Sequence, residues 1–577
     1  MKFIGTFVTC MLVSLILLAQ TTAENAFQQN NPLYWKNRPP SAAYWQQDVH
    51  YTIHASINEK TNIIDADEKL VYTNNSPFEL PFVYFHLYQN AFTKGSYLDE
   101  LQTANNQPIR RYGKYASQKL GTMVEQVKVN GINCKVELDN TIMKVKLPSP
   151  LKPGESVVIT MNFATFFESG SFRRRMACYN SYGFTHYNGV HWYPRICVYD
   201  SKKGWDTDQH LNKELYGDYG LFDVTLTFAD NYVVEATGEL QNPDEVYAGN
   251  LRERLDVKNF KNKPWNERPD IITPYDSTQR KTWHFIANNV HDFAFTADPA
   301  YRIAESFFYP DGPSGRKVQC IGLVLEPHAS KWQNSAEYVA KILETFSRDF
   351  GEYEYPKMVA ADANDGMEYP MLTLDGGAEP DYHGLFVHEI GHNWFYGMIG
   401  NNETYRAALD EGFTQFLTAW GLRSIDGNTP ISSPIKNKYV RKHKEAGNQL
   451  DRNVYNRYMY DAVRENDKPL NTHSNDFHSA LGHENGYSNV YHKTATMLFN
   501  LQYVLGDSLF QQAMKHYVVK WKFAHPYFED FRQSIIEFTQ QDLNWFFDQW
   551  METTKSIDYG ITSIKKTLIP NEYKIKF

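Results

Sequence analysis

Two histidines and two glutamates carry the chemistry of this sequence. His388-Glu389-Ile390-Gly391-His392 is an H-E-x-x-H match, and Leu385, Phe386 and Val387 before it with Trp394 and Phe395 after it favour a helix. Four residues make about one helical turn, so both imidazoles lie on one face and can share a cation. A catalytic zinc takes three protein ligands and keeps a fourth position for water. Glu411, in the next helical run Asp410-Glu-Gly-Phe-Thr-Gln-Phe-Leu, is the candidate third ligand. Two imidazoles with one carboxylate suit zinc, whereas Mg or Ca would draw more oxygen donors. Such a metal polarises a scissile carbonyl and brings the pKa of its water down to about 7, and Glu389, which is not a ligand, removes the proton. The plain alternative is two packed or solvated histidines on an amphipathic helix, and the placement of Glu411 weighs against it. Imidazole binds zinc only when neutral, so activity is expected to fall below about pH 6.

Elements of two kinds have to position these groups. From about Val49 to Leu240 the chain runs in short alternating stretches, such as Val49-His-Tyr-Thr-Ile-His-Ala-Ser-Ile and Phe222-Asp-Val-Thr-Leu-Thr-Phe, broken by Asn, Gly and Pro turns. The same character returns at Thr282-Trp-His-Phe-Ile, so a strand-rich domain is expected over 24–303. Helical periodicity takes over from 304, clearest in Val339, Ile342, Leu343, Phe346 and Phe350, and predicts a mostly helical domain to about 552. Residues 553–577 read as two strands, around Tyr559-Gly-Ile-Thr-Ser-Ile and Tyr573-Lys-Ile-Lys-Phe. Two strands are not stable alone, so they either pack on the helical domain or begin a further segment of a longer protein. The expected class is therefore α+β and multidomain.

The 577 residues, 42% hydrophobic and 22% charged with a mean hydropathy of -0.55, describe a globular protein with several cores. A net charge of -9 and the lack of basic runs beyond Arg173-Arg174-Arg175 exclude the footprint of a nucleic-acid binder, and that triplet reads as a solvated loop. Lys2, the apolar run over 7–19 and the small residues Thr21, Thr22 and Ala23 predict a signal peptide cleaved near Ala23, hence an exported protein, periplasmic or secreted. That run is shorter than a membrane span needs, and Cys10 sits too early for a lipid-modified cleavage site. Cys134, Cys178, Cys197 and Cys320 remain after processing, and their irregular spacing allows one or two bridges without pairing them.

With these residues in place, the chain resembles the M1 family of zinc aminopeptidases, the gluzincins. In that family the third ligand is a Glu separated from H-E-x-x-H by eighteen residues, and here residues 393 to 410 are those eighteen before Glu411. The family's G-x-M-E-N strand resembles Asp365-Gly-Met-Glu-Tyr-Pro370, which implies that Glu368, supported by Gly366 and Met367, binds the free amine of the substrate. Physics agrees, because a carboxylate beside the metal would pair with an N-terminal ammonium and fix the first peptide bond over it. Val490-Tyr491-His492-Lys493 resembles the stretch with the family's catalytic Tyr, so Tyr491 is implied as the donor to the oxyanion, with Tyr487 one turn away as its rival.

The resemblance covers nearly all of the mature chain. It implies a saddle-like β domain, with His191-Trp-Tyr-Pro-Arg195 and Ala236-Thr-Gly-Glu-Leu240, followed by a thermolysin-like catalytic domain holding one Zn2+ and acting on peptides with a free N-terminus. Asp365 and Tyr369 depart from the amine motif, the stretch between Glu411 and Tyr491 suggests an inserted loop over the cleft, and Asn188 is the guess for a second amine-binding residue. A zinc endopeptidase would need no Glu368, a non-catalytic interaction protein would lack a ligand or the base, and a bifunctional epoxide hydrolase finds no residue that selects it.

Overall fold

A computed structural model describes residues 31–107, 112–168, 175–431, 437–443, 447–477, 486–555 and 561–576. The leader and residues 173 and 174 lie outside them.

The N-terminal part is built on an eight-stranded sheet. In chain order its strands are β1 (Asp48–Asn58), β2 (Ile63–Thr73), β3 (Thr122–Val129), β4 (Ile132–Asn133), β5 (Ser156–Phe166), β6 (Gly220–Ala229), β7 (Glu239–Leu240) and β8 (Arg280–Val290). They lie side by side as β7-β8-β6-β1-β2-β5-β3-β4. Alternation explains the arrangement: Val49, Tyr51, Ile53, Ala55 and Ile57 of β1 all point into the core, while Ser56 and the exposed His54 point out. The pair β1 and β6 is parallel, in the register Val49 to Gly220, and the long stretch between them supplies the crossover.

The C-terminal part opens not with helices but with a five-stranded mixed sheet. Its strands are β9 (Tyr301–Phe308), β10 (Val318–Leu325), β11 (Lys357–Asp362), β12 (Met367–Tyr369) and β13 (Leu372–Asp375), ordered β9-β10-β11-β13-β12. This corrects the expectation that helices take over at 304. Strands β10, β11 and β13 run parallel and are buried at nearly every position, so they show no period-2 alternation. Between β10 and β11 lies α1 (Ser335–Phe350), with Val339, Ile342, Leu343, Phe346 and Phe350 fully buried on one face. The longer helices that follow include α2 (His383–Gly391), α3 (Glu411–Ile425), α4 (Ser488–Leu505), α5 (Asp507–Trp521), α6 (Phe528–Thr539) and α7 (Asn544–Glu552). None among the described residues is long and apolar enough to cross a membrane.

At the C-terminal end β14 (Ser563–Lys566) and β15 (Tyr573–Lys576) pair, among the described residues, only with each other, and their side chains are almost all exposed. Among the described residues no two of Cys134, Cys178, Cys197 and Cys320 are bridged.

Candidate active site

Helix α2 and the residue that caps its end, His392, bring both imidazoles to one point. His388 Nε2 and His392 Nε2 lie 3.3 Å apart, and Glu411 Oε2, from the first turn of α3, stands 3.3 Å from the one and 3.4 Å from the other. A tetrahedral zinc with bonds of about 2.0 Å separates its ligand atoms by about 3.3 Å, so the triangle has the edge length the ion requires. The outer nitrogens settle which tautomer faces it. Thr418 donates its hydroxyl hydrogen to the Thr414 carbonyl, so its oxygen accepts from His388 Nδ1 at 2.9 Å. His392 Nδ1 donates to Asp410 Oδ1. Both Nε2 lone pairs are thereby turned toward Glu411, the arrangement a metal-ligating histidine needs. The residues fit zinc.

Two glycines make this packing possible. A Cβ on Gly412 would lie 2.2 Å from Thr494 Cβ and 2.3 Å from the Val490 carbonyl, so α3 and α4 touch backbone to backbone there. That contact lays Tyr491 over the site, where its hydroxyl donates to Glu411 Oε1. A Cβ on Gly366 would come within 3.1 Å of Glu389 Oε1, so Gly366 leaves room for the carboxylate. Tyr487, fully buried, lies one turn from Tyr491 with its ring against Lys213 and is absent from the cavity lining.

The cavity, of about 110 Å³, is lined by Gly366, Met367, Glu368, His388, Glu389, His392, Glu411 and Tyr491, with Arg175 and Glu214 from the N-terminal part. Glu368 is carried by β12, the edge strand of the mixed sheet, and is almost fully buried. Burial, and after it the neighbouring Glu368, push the Glu389 carboxyl well above the usual range, while burial chiefly raises Glu368 itself. Burial also brings Asp410 up to about 7 despite its bond to His392.

Other residues stand elsewhere than their sequence suggests. Asn188 does not reach the cavity: its amide nitrogen donates to the Ala363 carbonyl and its oxygen accepts from Thr296, so it ties the two parts together. Arg175 is no solvated loop residue, since it grips both oxygens of Glu214 with two nitrogens. The stretch after α3 puts none of its described residues 426–490 into the cavity lining. Asp410 and Thr418 carry no motif of their own, although a carboxylate directly before the third ligand is a signal for an outer partner. The Tyr369 hydroxyl and His191 Nε2 share a hydrogen bond at 3.3 Å, so Tyr369 fills its place in the amine motif as a tie to the β part.

Comparison with known proteins agrees with this geometry. Residues 378–550 match the model of the Peptidase family M1 domain. The chain carries an M1 peptidase domain. The M1 zinc metallopeptidase of Deinococcus radiodurans shares the fold with a TM-score of 0.56 at 14% identity, over 89% of this chain and 95% of its own. Aminopeptidase A of Legionella pneumophila gives 0.55 at 14% identity, over 89% of this chain and 50% of its own. A probable aminopeptidase 1 of Sulfurisphaera tokodaii is 20% identical over 369 residues, 59% of this chain and 43% of the relative, so the chain spans less than half the length of that relative. The M1 domain match includes α2 and α3, and hence the complete triad of His388, His392 and Glu411.

Proposed function

We propose that this protein is a zinc-dependent aminopeptidase that removes the N-terminal residue from peptides and works outside the cytoplasm. The observation that carries the reading is the buried Glu368 carboxylate in the same small cavity as the His388, His392 and Glu411 triad.

Zinc, when bound by that triad, supplies Lewis acidity to the scissile carbonyl and acidifies a water. Glu368 pairs with the substrate ammonium, and because it is buried it favours a cation over an unpaired charge. That pairing allows only the first peptide bond to reach the triad. Glu389, with its carboxyl raised by burial, takes the proton of the attacking water and returns it to the leaving amine. Tyr491 turns its hydroxyl from Glu411 to the oxygen on which charge develops. A mutant of the Deinococcus enzyme carries a bound Tyr-Ser-Ala substrate, and the likeness of fold makes a short peptide the reasonable first substrate to try.

The test compares chromogenic amides of leucine and alanine with their N-acetylated forms. Cleavage restricted to free-amine substrates and lost on chelation supports the reading; equal cleavage of the blocked forms makes the protein an endopeptidase.

A further inference from the structure

Arg175 is the one residue of fixed positive charge among the described residues that line the cavity, whose other ionisable lining groups include Glu214, Glu368, Glu389 and Glu411. Its guanidinium holds Glu214 through Nη2 to Oε1 at 2.7 Å and through Nη1 to Oε2, and the side chains are 15% and 3% exposed. A guanidinium has five N–H donors and this pair uses two. The cation also stands close enough to Glu368 for that carboxylate to act on it. Arg175 has a left-handed φ of 62° two residues before the strand Ala177–Ser181. Glu214 is fixed from the other side, with its carbonyl accepting from Thr404 Oγ1 at 3.3 Å and the next amide, Leu215 N, donating to Glu403.

A cation beside an amine anchor repels the ammonium itself, so what it can hold next to that ammonium is an anion. The guanidinium lines the same cavity as the amine anchor Glu368, so the group it meets belongs to the first residue of a substrate or the atoms just beyond it. Planar guanidinium and planar carboxylate match edge to edge.

We propose that Arg175 is a specificity-determining residue that binds a carboxylate of the substrate close to its free amine, supplied either by an acidic first side chain or by the free C-terminus of a dipeptide. The inference rests on the aminopeptidase reading for its substrate class. Glu214 occupies the guanidinium when no substrate is present and shares it when one is.

Binding to the zinc-loaded full chain tests this without turnover, so an enzyme silent on every amide would defeat the aminopeptidase reading and leave this measurement intact. Calorimetry would compare the α-amide of L-aspartate with the α-amide of L-asparagine, which differ in charge only at the side chain, and Ala-Ala with its C-terminal amide. The expected result is at least tenfold tighter binding of one acid than of its neutral twin. The aspartate arm identifies the side chain as the source and the dipeptide arm the C-terminus. In Arg175→Met that preference should vanish while alanine amide still binds, and Arg175→Lys should keep part of it. Equal binding of acid and neutral twin in both arms of the wild-type protein overturns the proposal, and so does a preference that survives in a folded Arg175→Met.

Discussion

Tyr491 donates its phenolic hydrogen to Glu411, so the group proposed to stabilise the transition state rests on the carboxylate proposed as the third metal ligand. Burial holds that phenol well above its ordinary pKa, which keeps it a donor throughout the working range. Tyr491→Phe should lower kcat by about 10²–10³ with little change in KM, as loss of one oxyanion donor does. Steady-state kinetics beside a metal assay checks this, and zinc content should stay at the wild-type level.

Asp410 fixes the ring of His392, and the two side chains are 0% and 1% exposed. Asp410→Asn keeps the shape and removes the charge. Zinc affinity should fall about 10- to 100-fold, measured by competition with a chromogenic chelator.

Gly412 and Gly384 make a matched pair on the two helices of the site. Gly412→Ala forces α3 away from α4 and should cost about 1–3 kcal/mol while displacing Tyr491. Gly384 has nothing within 4 Å of an added Cβ, so Gly384→Ala should leave activity intact and add up to about 1 kcal/mol of stability from helix propensity. Thermal denaturation of both variants gives the comparison.

His525 joins the two parts of the molecule. Its Nδ1 donates to the Gly400 carbonyl at 2.7 Å and its ring stacks on Tyr219. Burial lowers its pKa from 6.5 to about 4. A folded-state value below the unfolded one means that unfolding takes up a proton, so the contribution is fully present above pH 6.5 and is lost as pH falls toward 4. The shift is worth about 3 kcal/mol across that window. Chemical denaturation between pH 7 and 4 should show the slope, and His525→Gln should flatten it.

The metal centre was legible because its spacing lies within one helix and the start of the next. Helical geometry alone places His388 and His392 together, and Glu411 follows a fixed number of residues later. What joins the site from far along the chain was not legible. Arg175 and Glu214 reach the cavity only through tertiary packing, and an arginine triplet reads as a solvated loop whichever way it folds. The mixed sheet was hidden for a different reason: Val318-Gln-Cys-Ile-Gly-Leu-Val-Leu and Lys357-Met-Val-Ala-Ala-Asp are covered on both faces, and a strand covered on both faces loses the alternation that marks it. Strands β1 and β6 of the N-terminal sheet, with a core face and a more open face, kept theirs.

Export is proposed from the first 23 residues alone. N-terminal sequencing of protein recovered from outside the cytoplasm should begin near Glu24.

The most direct measurement is the rate of purified, zinc-loaded protein on leucine amide and on its N-acetylated twin, with Glu368→Ala beside the wild type. The account predicts cleavage of the free-amine substrate alone, abolished by chelator and restored by zinc, with kcat/KM reduced at least about 30-fold in Glu368→Ala through loss of a buried charge pair. Cleavage of the acetylated substrate at a similar rate, unaffected by the loss of Glu368, would contradict it.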